Sequence, residues 1–194
     1  MNIHLILGGA RSGKSAYAEK LAIESNLPVT YIATAQIYDD EFKARVQHHK
    51  DRRPEHWKLV EEPHFLSTAL QANIYKAYEA SKNPRTKQCI IIDCLTLWLA
   101  QCICPECLPA EGVDWPVQRE AFLAELVKLQ ELFQGQNFQG QLILVSNEVG
   151  MGIVPLGEIN RQFQDEQGRL NQAVAQIADR VSFIAAGLPL KLKG

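Results

Sequence analysis

Residues 3–15 constrain this chain more than any other part of its sequence. An apolar segment, residues 3–7, runs directly into a glycine-rich loop that fits the pattern G-x-x-x-x-G-K-[ST]. An amphipathic segment typical of a helix follows at once. This order predicts that backbone N–H groups and the positive end of the helix bind phosphate oxygens. The loop consists of Gly8, Gly9, Ala10, Arg11, Ser12, Gly13, Lys14 and Ser15.

Three side chains of this loop have expected roles in binding a nucleotide. Lys14 should reach the β- and γ-phosphates, and the Ser15 hydroxyl should ligate Mg²⁺. Arg11 is an additional cation that could contact phosphate or a second substrate.

Asp93 is the predicted acidic partner for that metal. It ends an apolar strand at residues 89–93, and the carboxyl ends of parallel strands face the ligand in an open α/β sheet. An N-cap for a helix over residues 95–102 is the alternative interpretation of Asp93, and the two roles are compatible. A further apolar strand, residues 141–146, leads to Glu148, which is a candidate base or metal contact.

Apolar and helical segments alternate along most of the chain. This alternation predicts an α/β fold with a mostly parallel central sheet and helices on both faces. A short last strand after Gly187 is expected to be antiparallel at an edge. The length and the absence of an internal repeat suggest one domain over residues 1–194. Strands are predicted at 3–7, 29–33, 89–93, 141–146, 181–185 and 188–192, and helices at 15–24, 39–50, 65–80, 95–102, 117–133 and 156–179, the last with a break near Gly168.

A second unusual segment, residues 43–58, is basic and rich in histidine, and we call it the histidine segment. Nine of the sixteen residues from 43 to 58 are Lys, Arg or His. One interpretation is a solvated basic face. A zinc site is a weaker one, because the adjacent side chains of His48 and His49 project in different directions. The third is a phosphate-handling helix in which a neutral histidine attacks phosphorus while the surrounding cations hold the phosphates.

Three of the five cysteines lie close together in the sequence, at Cys102, Cys104 and Cys107, and Cys94 is eight residues earlier. The spacing C-x-C-x-x-C is compatible with a thiolate metal site. However, the paired ligands of common zinc sites are missing, and no histidine lies between Cys94 and Cys107. A cysteine-rich helix end is the favoured interpretation.

Composition excludes several classes of protein. The chain is 46% hydrophobic and 22% charged, as globular proteins are, and it contains no apolar run of the roughly 20 residues that span a bilayer. Its formal net charge of −2 gives no general argument for binding nucleic acid. The first residues lack the pattern of a signal peptide, so a cytoplasmic protein is expected.

Together these segments resemble a known family, the bifunctional adenosylcobinamide kinase/adenosylcobinamide-phosphate guanylyltransferases of cobalamin assembly. The resemblance extends over nearly the whole chain, although the cysteine-rich residues 102–107 lie outside it. Its most specific parts are the runs R-V-Q-H-H-K-D-R-R-P at 45–54 and N-E-V-G-M-G-I-V-P at 147–155. The phosphate loop, residues 31–36, Trp57, Glu61 and residues 168–172 also match.

The resemblance implies a fold, two reactions and a set of site residues. Family members look like RecA-type P-loop proteins assembled as homotrimers. They phosphorylate adenosylcobinamide with ATP or GTP and Mg²⁺, and then transfer GMP from GTP to that phosphate through a covalent histidine. The position matching this histidine is His48. The positions matching nucleotide contacts are Gly8 to Ser15, Thr34, Ala35, Gln36, His49, Lys50, Asp51, Arg52, Glu61 and Asp93.

Two other functions remain open on the residues alone. A kinase for small molecules would use the phosphate loop without a nucleophilic His48. A regulatory nucleotide-binding module would use the basic segment to bind a partner, although the N-K-x-D guanine signature of regulatory GTPases is missing.

Overall fold

One seven-stranded sheet forms the centre of the molecule. The structure, a computed structural model, describes residues 2–36, 53–81, 86–134 and 138–194. The strands in these ranges are β1 (Asn2–Gly8), β2 (Val29–Ala33), β3 (Lys58–Glu61), β4 (Thr86–Asp93), β5 (Phe138–Val145), β6 (Arg180–Ala185) and β7 (Leu188–Lys193). Their order is β3-β2-β4-β5-β1-β6-β7, and all neighbours are parallel except β6 and β7. The predicted parallel sheet with an antiparallel last strand is confirmed.

Helices cover both faces of this sheet. They are α1 (Lys14–Glu24), α2 (Leu66–Ser81), α3 (Leu95–Ile103), α4 (Trp115–Gln134) and α5 (Glu158–Ile177). Helix α1 packs against one face, and the other four contribute to the core on the opposite face. The central strands are therefore buried on both sides, which explains their nearly continuous apolar sequences. None of the helices in the described ranges is long and apolar enough to cross a membrane.

The structure differs from the predicted elements in two places. Helix α5 continues through Gly168 without the predicted break, because Leu170 and Val174 anchor that stretch in the core and an isolated glycine costs a helix only about 1 kcal/mol. Strand β3 is not predicted from the sequence, since it is short and three of its four residues are exposed. The helix predicted at 39–50 lies outside the described residues.

His4 is a buried histidine within β1. Its side chain is 4% exposed, and its Nε2 lies 2.9 Å from the Ser182 hydroxyl on the neighbouring strand. Burial, assisted by the positive charge of Arg180, lowers the pKa of His4 from 6.5 to about 4. The ring is therefore neutral at pH 7 in the folded protein.

We expect the folded protein to lose stability as the pH falls from about 6.5 towards 4. In this window the unfolded chain binds a proton at His4 that the folded chain does not bind, so acid favours unfolding. His4→Gln, which keeps a polar group but does not titrate, should lose less free energy of unfolding between pH 7 and pH 5 than the wild type. Urea titrations at the two pH values measure this difference, and an equal loss in both proteins would contradict the assignment.

Candidate active site

The phosphate loop connects β1 to α1 at the carboxyl edge of the sheet. A Cβ on Gly8 would lie 2.4 Å from the Ile184 carbonyl oxygen, and Gly13 has a positive φ of 99°. The Gly187 N–H, in the turn between β6 and β7, donates to the Ser12 carbonyl oxygen at 2.8 Å. The loop thus packs directly on that turn, and its glycines are required by this close approach as well as by a phosphate ligand.

Lys14 begins α1 and lies over the backbone of its own loop. Its side chain is 7% exposed, and Nζ donates to the Gly9 carbonyl oxygen at 2.6 Å. Burial lowers the pKa of Lys14, whereas the nearby groups of Cys94 and Asp93 act in the opposite direction. A desolvated ammonium group attracts an anionic ligand more strongly than one in water does.

Asp93 ends β4 at the same edge of the sheet. Its Oδ2 accepts a 2.7 Å hydrogen bond from the Tyr31 hydroxyl of the neighbouring strand β2. Burial and the Asp93 carboxylate raise the pKa of Tyr31 well above its usual value, so the phenol stays protonated and donates. The residue that caps α3 is Cys94, so the interpretation of Asp93 as an N-cap is wrong.

This edge supplies oxygen donors for a divalent cation. Ser15, the second residue of α1, offers a hydroxyl, and Asp93 offers a carboxylate. Mg²⁺ prefers oxygen ligands and usually binds through one or two protein groups together with phosphates and water. No group of three or more His, Cys, Asp or Glu within the described ranges could hold a metal ion. The donor set therefore fits Mg²⁺ that arrives with a nucleotide.

Cys94 and Cys102 have environments that disfavour thiolates. Cys94 and Cys102 are buried, and burial raises the pKa of each thiol to about 12. Cys104 and Cys107 are partly exposed, and the Cys104 thiol donates to Glu106 Oε2 at 3.1 Å. These contacts agree with a cysteine-rich helix end.

The residues after β5 fill the edge between the phosphate loop and Asp93. The Ser146 hydroxyl, which is fully buried, donates to Asn171 Oδ1 of α5 at 2.7 Å and accepts from Gln167 Nε2 at 2.9 Å. The Glu148 N–H donates to the Gly8 carbonyl oxygen at 3.0 Å, while its carboxylate accepts from the Gly150 N–H at 2.6 Å. This segment is thereby attached to the phosphate loop through its backbone.

Thr34 follows β2 and connects its end to the end of β4. Its side chain is fully buried, and its hydroxyl both donates to the Cys94 carbonyl oxygen and accepts from the Cys94 N–H, each at 2.8 Å. Glu61 ends β3 opposite Ala33, so it lies at the same carboxyl edge. The structure thus places the phosphate loop, residues 34–36, Glu61 and Asp93 along one edge of the sheet, with Glu61 four strands away from the loop. The predicted site residues His48, His49, Lys50, Asp51 and Arg52 lie outside the described residues.

Arg53 and Tyr31 are neighbours of the site that sequence reasoning did not assign. The Arg53 guanidinium carbon lies 4.1 Å from the centroid of the Tyr31 ring, and the ring of Trp57 stacks near Tyr31 at a centroid separation of 6.4 Å. The available signal was a tyrosine in a mostly apolar strand, but only the fold shows that its hydroxyl reaches Asp93.

Comparison with known proteins now identifies the family. The model of the cobinamide kinase / cobinamide phosphate guanyltransferase family matches residues 4–192. The chain belongs to this family. The family resemblance found in the sequence is confirmed.

Two relatives of this kinase/guanyltransferase family match over nearly their whole length. The chain is 48% identical over 190 residues to the bifunctional adenosylcobalamin biosynthesis protein CobP of Pseudomonas aeruginosa, covering 98% of this chain and 96% of the relative. It is 38% identical over 191 residues to the corresponding protein CobU of Escherichia coli, covering 97% and 98%.

A solved structure with the same fold is far more distant in sequence. It comes from a study of a prototypical ATPase of the type III secretion system of pathogenic bacteria, with a TM-score of 0.51 and 13% identity. The match covers 98% of this chain and 56% of that one. It supports the predicted P-loop fold.

Lys14→Ala should lower the cobinamide kinase activity expected of this family about 100-fold or more, because a cation aimed at the γ-phosphate stabilises the transition state by several kcal/mol. The matched control is Lys20→Ala, which removes an exposed lysine of the same helix paired with Glu24. Turnover of ATP in the presence of cobinamide measures the effect. A Lys14→Ala variant with near-normal turnover would show that the phosphate loop does not carry this activity.

Proposed function

We propose that this chain phosphorylates adenosylcobinamide and then transfers GMP to the resulting phosphate, as one cytoplasmic catalytic domain. Family membership supports both activities. The observation that carries the proposal is that the Lys14 ammonium of the phosphate loop and the Asp93 carboxylate lie at the same edge of the sheet. A nucleoside triphosphate with Mg²⁺ needs both groups, because the cation binds its phosphates and the acidic residue binds the metal.

In the kinase reaction, the hydroxyl oxygen of cobinamide attacks the γ-phosphorus of ATP or GTP. The bond from this phosphorus to the bridging oxygen of the β-phosphate breaks, the nucleoside diphosphate leaves, and the hydroxyl proton passes to solvent. The backbone N–H groups of the loop and Lys14 hold the phosphates in line. Ser15 and Asp93 would hold Mg²⁺, which neutralises phosphate charge when bound.

In the guanylyltransferase reaction, a ring nitrogen of His48 attacks the α-phosphorus of GTP and pyrophosphate leaves. A phosphate oxygen of phosphorylated cobinamide then attacks the same phosphorus, the bond to histidine breaks, and cobinamide-GDP is released. The covalent intermediate divides one transfer into two displacements, so donor and acceptor need not meet at once.

The chain connection supports this role for His48. Arg53 is fixed beside Tyr31, whose hydroxyl contacts Asp93. His48 is five positions before Arg53, and five residue steps span at most about 18 Å. The histidine segment is thereby connected to the nucleotide edge. Thr34, Ala35, Gln36, His49, Lys50, Asp51, Arg52 and Glu61 are the further proposed nucleotide contacts of this segment and edge.

His48 should become guanylylated when the protein meets Mg²⁺ and GTP without corrinoid. Label on the α-phosphate of GTP should remain with denatured protein, whereas label on the γ-phosphate should leave with pyrophosphate. The phosphorus–nitrogen bond should break in acid and survive base, because protonation makes the imidazole a better leaving group.

The adjacent histidine provides the control for this experiment. His48→Asn should abolish α-labelling, while His49→Asn should retain part or all of it, because only one ring can lie in line with the phosphorus. Kinase activity should persist in part in His48→Asn, since transfer of the γ-phosphate needs no protein nucleophile. Normal labelling of His48→Asn would show that another residue carries GMP, and no labelling of the wild type would leave a kinase without the covalent mechanism.

We further propose a homotrimer, as the resemblance implies. A run of exposed apolar side chains before α5 supports an interface between copies, because contiguous apolar surface of this kind marks association sites. Ile153 and Leu156 are each 97% exposed, and Met151 and Val154 are 79% and 65% exposed.

Sedimentation should give a particle of three times the 21.8 kDa chain mass. The double variant Ile153→Asp/Leu156→Asp should shift this particle towards monomer, because it places charges in an apolar interface. Val117→Asp, on an exposed apolar position of α4, is the control and should leave the mass unchanged. A monomeric wild-type protein at micromolar concentration would refute the trimer.

A further inference from the structure

Tyr31 and Asp93 lie diagonally across two paired strands. The register pairs Ala33 with Asp93, so Tyr31 is two residues earlier on β2 and its side chain is on the same face of the sheet as that of Ala33. A tyrosine is long enough to cover this diagonal step, and its hydroxyl reaches Asp93 Oδ2 at 2.7 Å. The contact engages one of the two carboxylate oxygens.

The ring of the same tyrosine supports the segment that follows residue 52. Arg53 lies over it at 4.1 Å, within the range of a cation–π contact. Trp57, only 9% exposed, stacks near it, and the Trp57 N–H closes a turn by donating to the Pro54 carbonyl oxygen at 3.0 Å. The hydroxyl of Tyr31 therefore contacts Asp93, while its ring contacts Arg53.

We propose that Tyr31 is a positioning residue, whose hydroxyl orients Asp93 towards Mg²⁺ and whose ring holds Arg53 and with it the end of the histidine segment. This inference rests on the proposed function, because it takes Asp93 as a metal ligand and the histidine segment as the carrier of GMP. It adds a side chain that touches neither nucleotide nor metal.

Tyr31 would act by limiting the motion of the two groups that it contacts, the Asp93 carboxylate and the Arg53 guanidinium. A carboxylate with one oxygen in a hydrogen bond has fewer rotational states to lose when it binds a cation, and such supporting contacts are worth about 10–100-fold in metal affinity. An arginine on an aromatic face likewise keeps its guanidinium in place at a lower entropic cost.

Tyr31→Phe separates the role of the hydroxyl from that of the ring, because it removes the hydroxyl and keeps the ring. A non-hydrolysable GTP analogue should bind more tightly when Mg²⁺ is present, and calorimetry measures this gain in affinity. In Tyr31→Phe we expect the same gain to require about tenfold more Mg²⁺. Affinity for the analogue without Mg²⁺ should be unchanged. Tyr17→Phe, which removes a phenol of α1 that faces His4, is the matched control and should behave as wild type.

The ring is tested through the α-label reaction. At saturating Mg²⁺, Tyr31→Phe should label at nearly the wild-type rate, whereas Tyr31→Leu and Arg53→Ala should both label at least several-fold more slowly. Thermal unfolding of each variant identifies any general loss of structure, and Arg53→Ala, which removes the partner of the ring and keeps Tyr31, decides the test if Tyr31→Leu does not fold.

Asp93→Asn separates this inference from the proposed function. If Asp93→Asn leaves the Mg²⁺ dependence of binding unchanged, the metal assignment itself is wrong. If Asp93→Asn removes that dependence while Tyr31→Phe behaves as wild type, the role of the Tyr31 hydroxyl is overturned and the proposed function stands. Equal labelling rates in Tyr31→Leu, Arg53→Ala and wild type would overturn the role of the ring.

Discussion

The position of strand β5 between β1 and β4 determines what the carboxyl edge of the sheet can bind. Neighbouring strands lie about 4.8 Å apart, so the loop after β1 and Asp93 after β4 are separated by about 10 Å across the sheet. Here Lys14 donates to a loop carbonyl and Asp93 accepts from Tyr31, so both charges remain available to an anionic ligand and its cation.

The sequence predicts those parts of the fold and site that depend on a pattern of a few neighbouring residues. The phosphate loop needs glycines at fixed positions, and the buried parallel strands need apolar residues on both faces, so β1, β2, β4 and β5 are recognisable from composition alone. Asp93 is recognisable because an acid ends such a strand. These rules act over a few residues, and no knowledge of the partner strands is required to apply them.

Sequence patterns do not predict the contacts that join distant residues. Strand β3 has no apolar pattern, because it is an edge strand whose stability comes from pairing with β2. The Thr34 hydroxyl matches a nucleotide contact in the family resemblance, yet in the fold it binds the backbone of Cys94. Tyr31 belongs to an apolar strand by composition, and only the register between β2 and β4 gives its hydroxyl a partner. These assignments depend on pairing between segments about 30 to 60 residues apart.

The contact between Ser12 and Gly187 has a consequence for how the chain folds during synthesis. The phosphate loop is made first, but its strand β1 is paired on one side with β5 and on the other with β6, and the turn that packs on the loop comes after β6. A nascent chain that has emerged from the ribosome only as far as α4 has neither neighbour for β1. The phosphate loop, although encoded in the first fifteen residues, can take its final form only after nearly the whole chain has been translated.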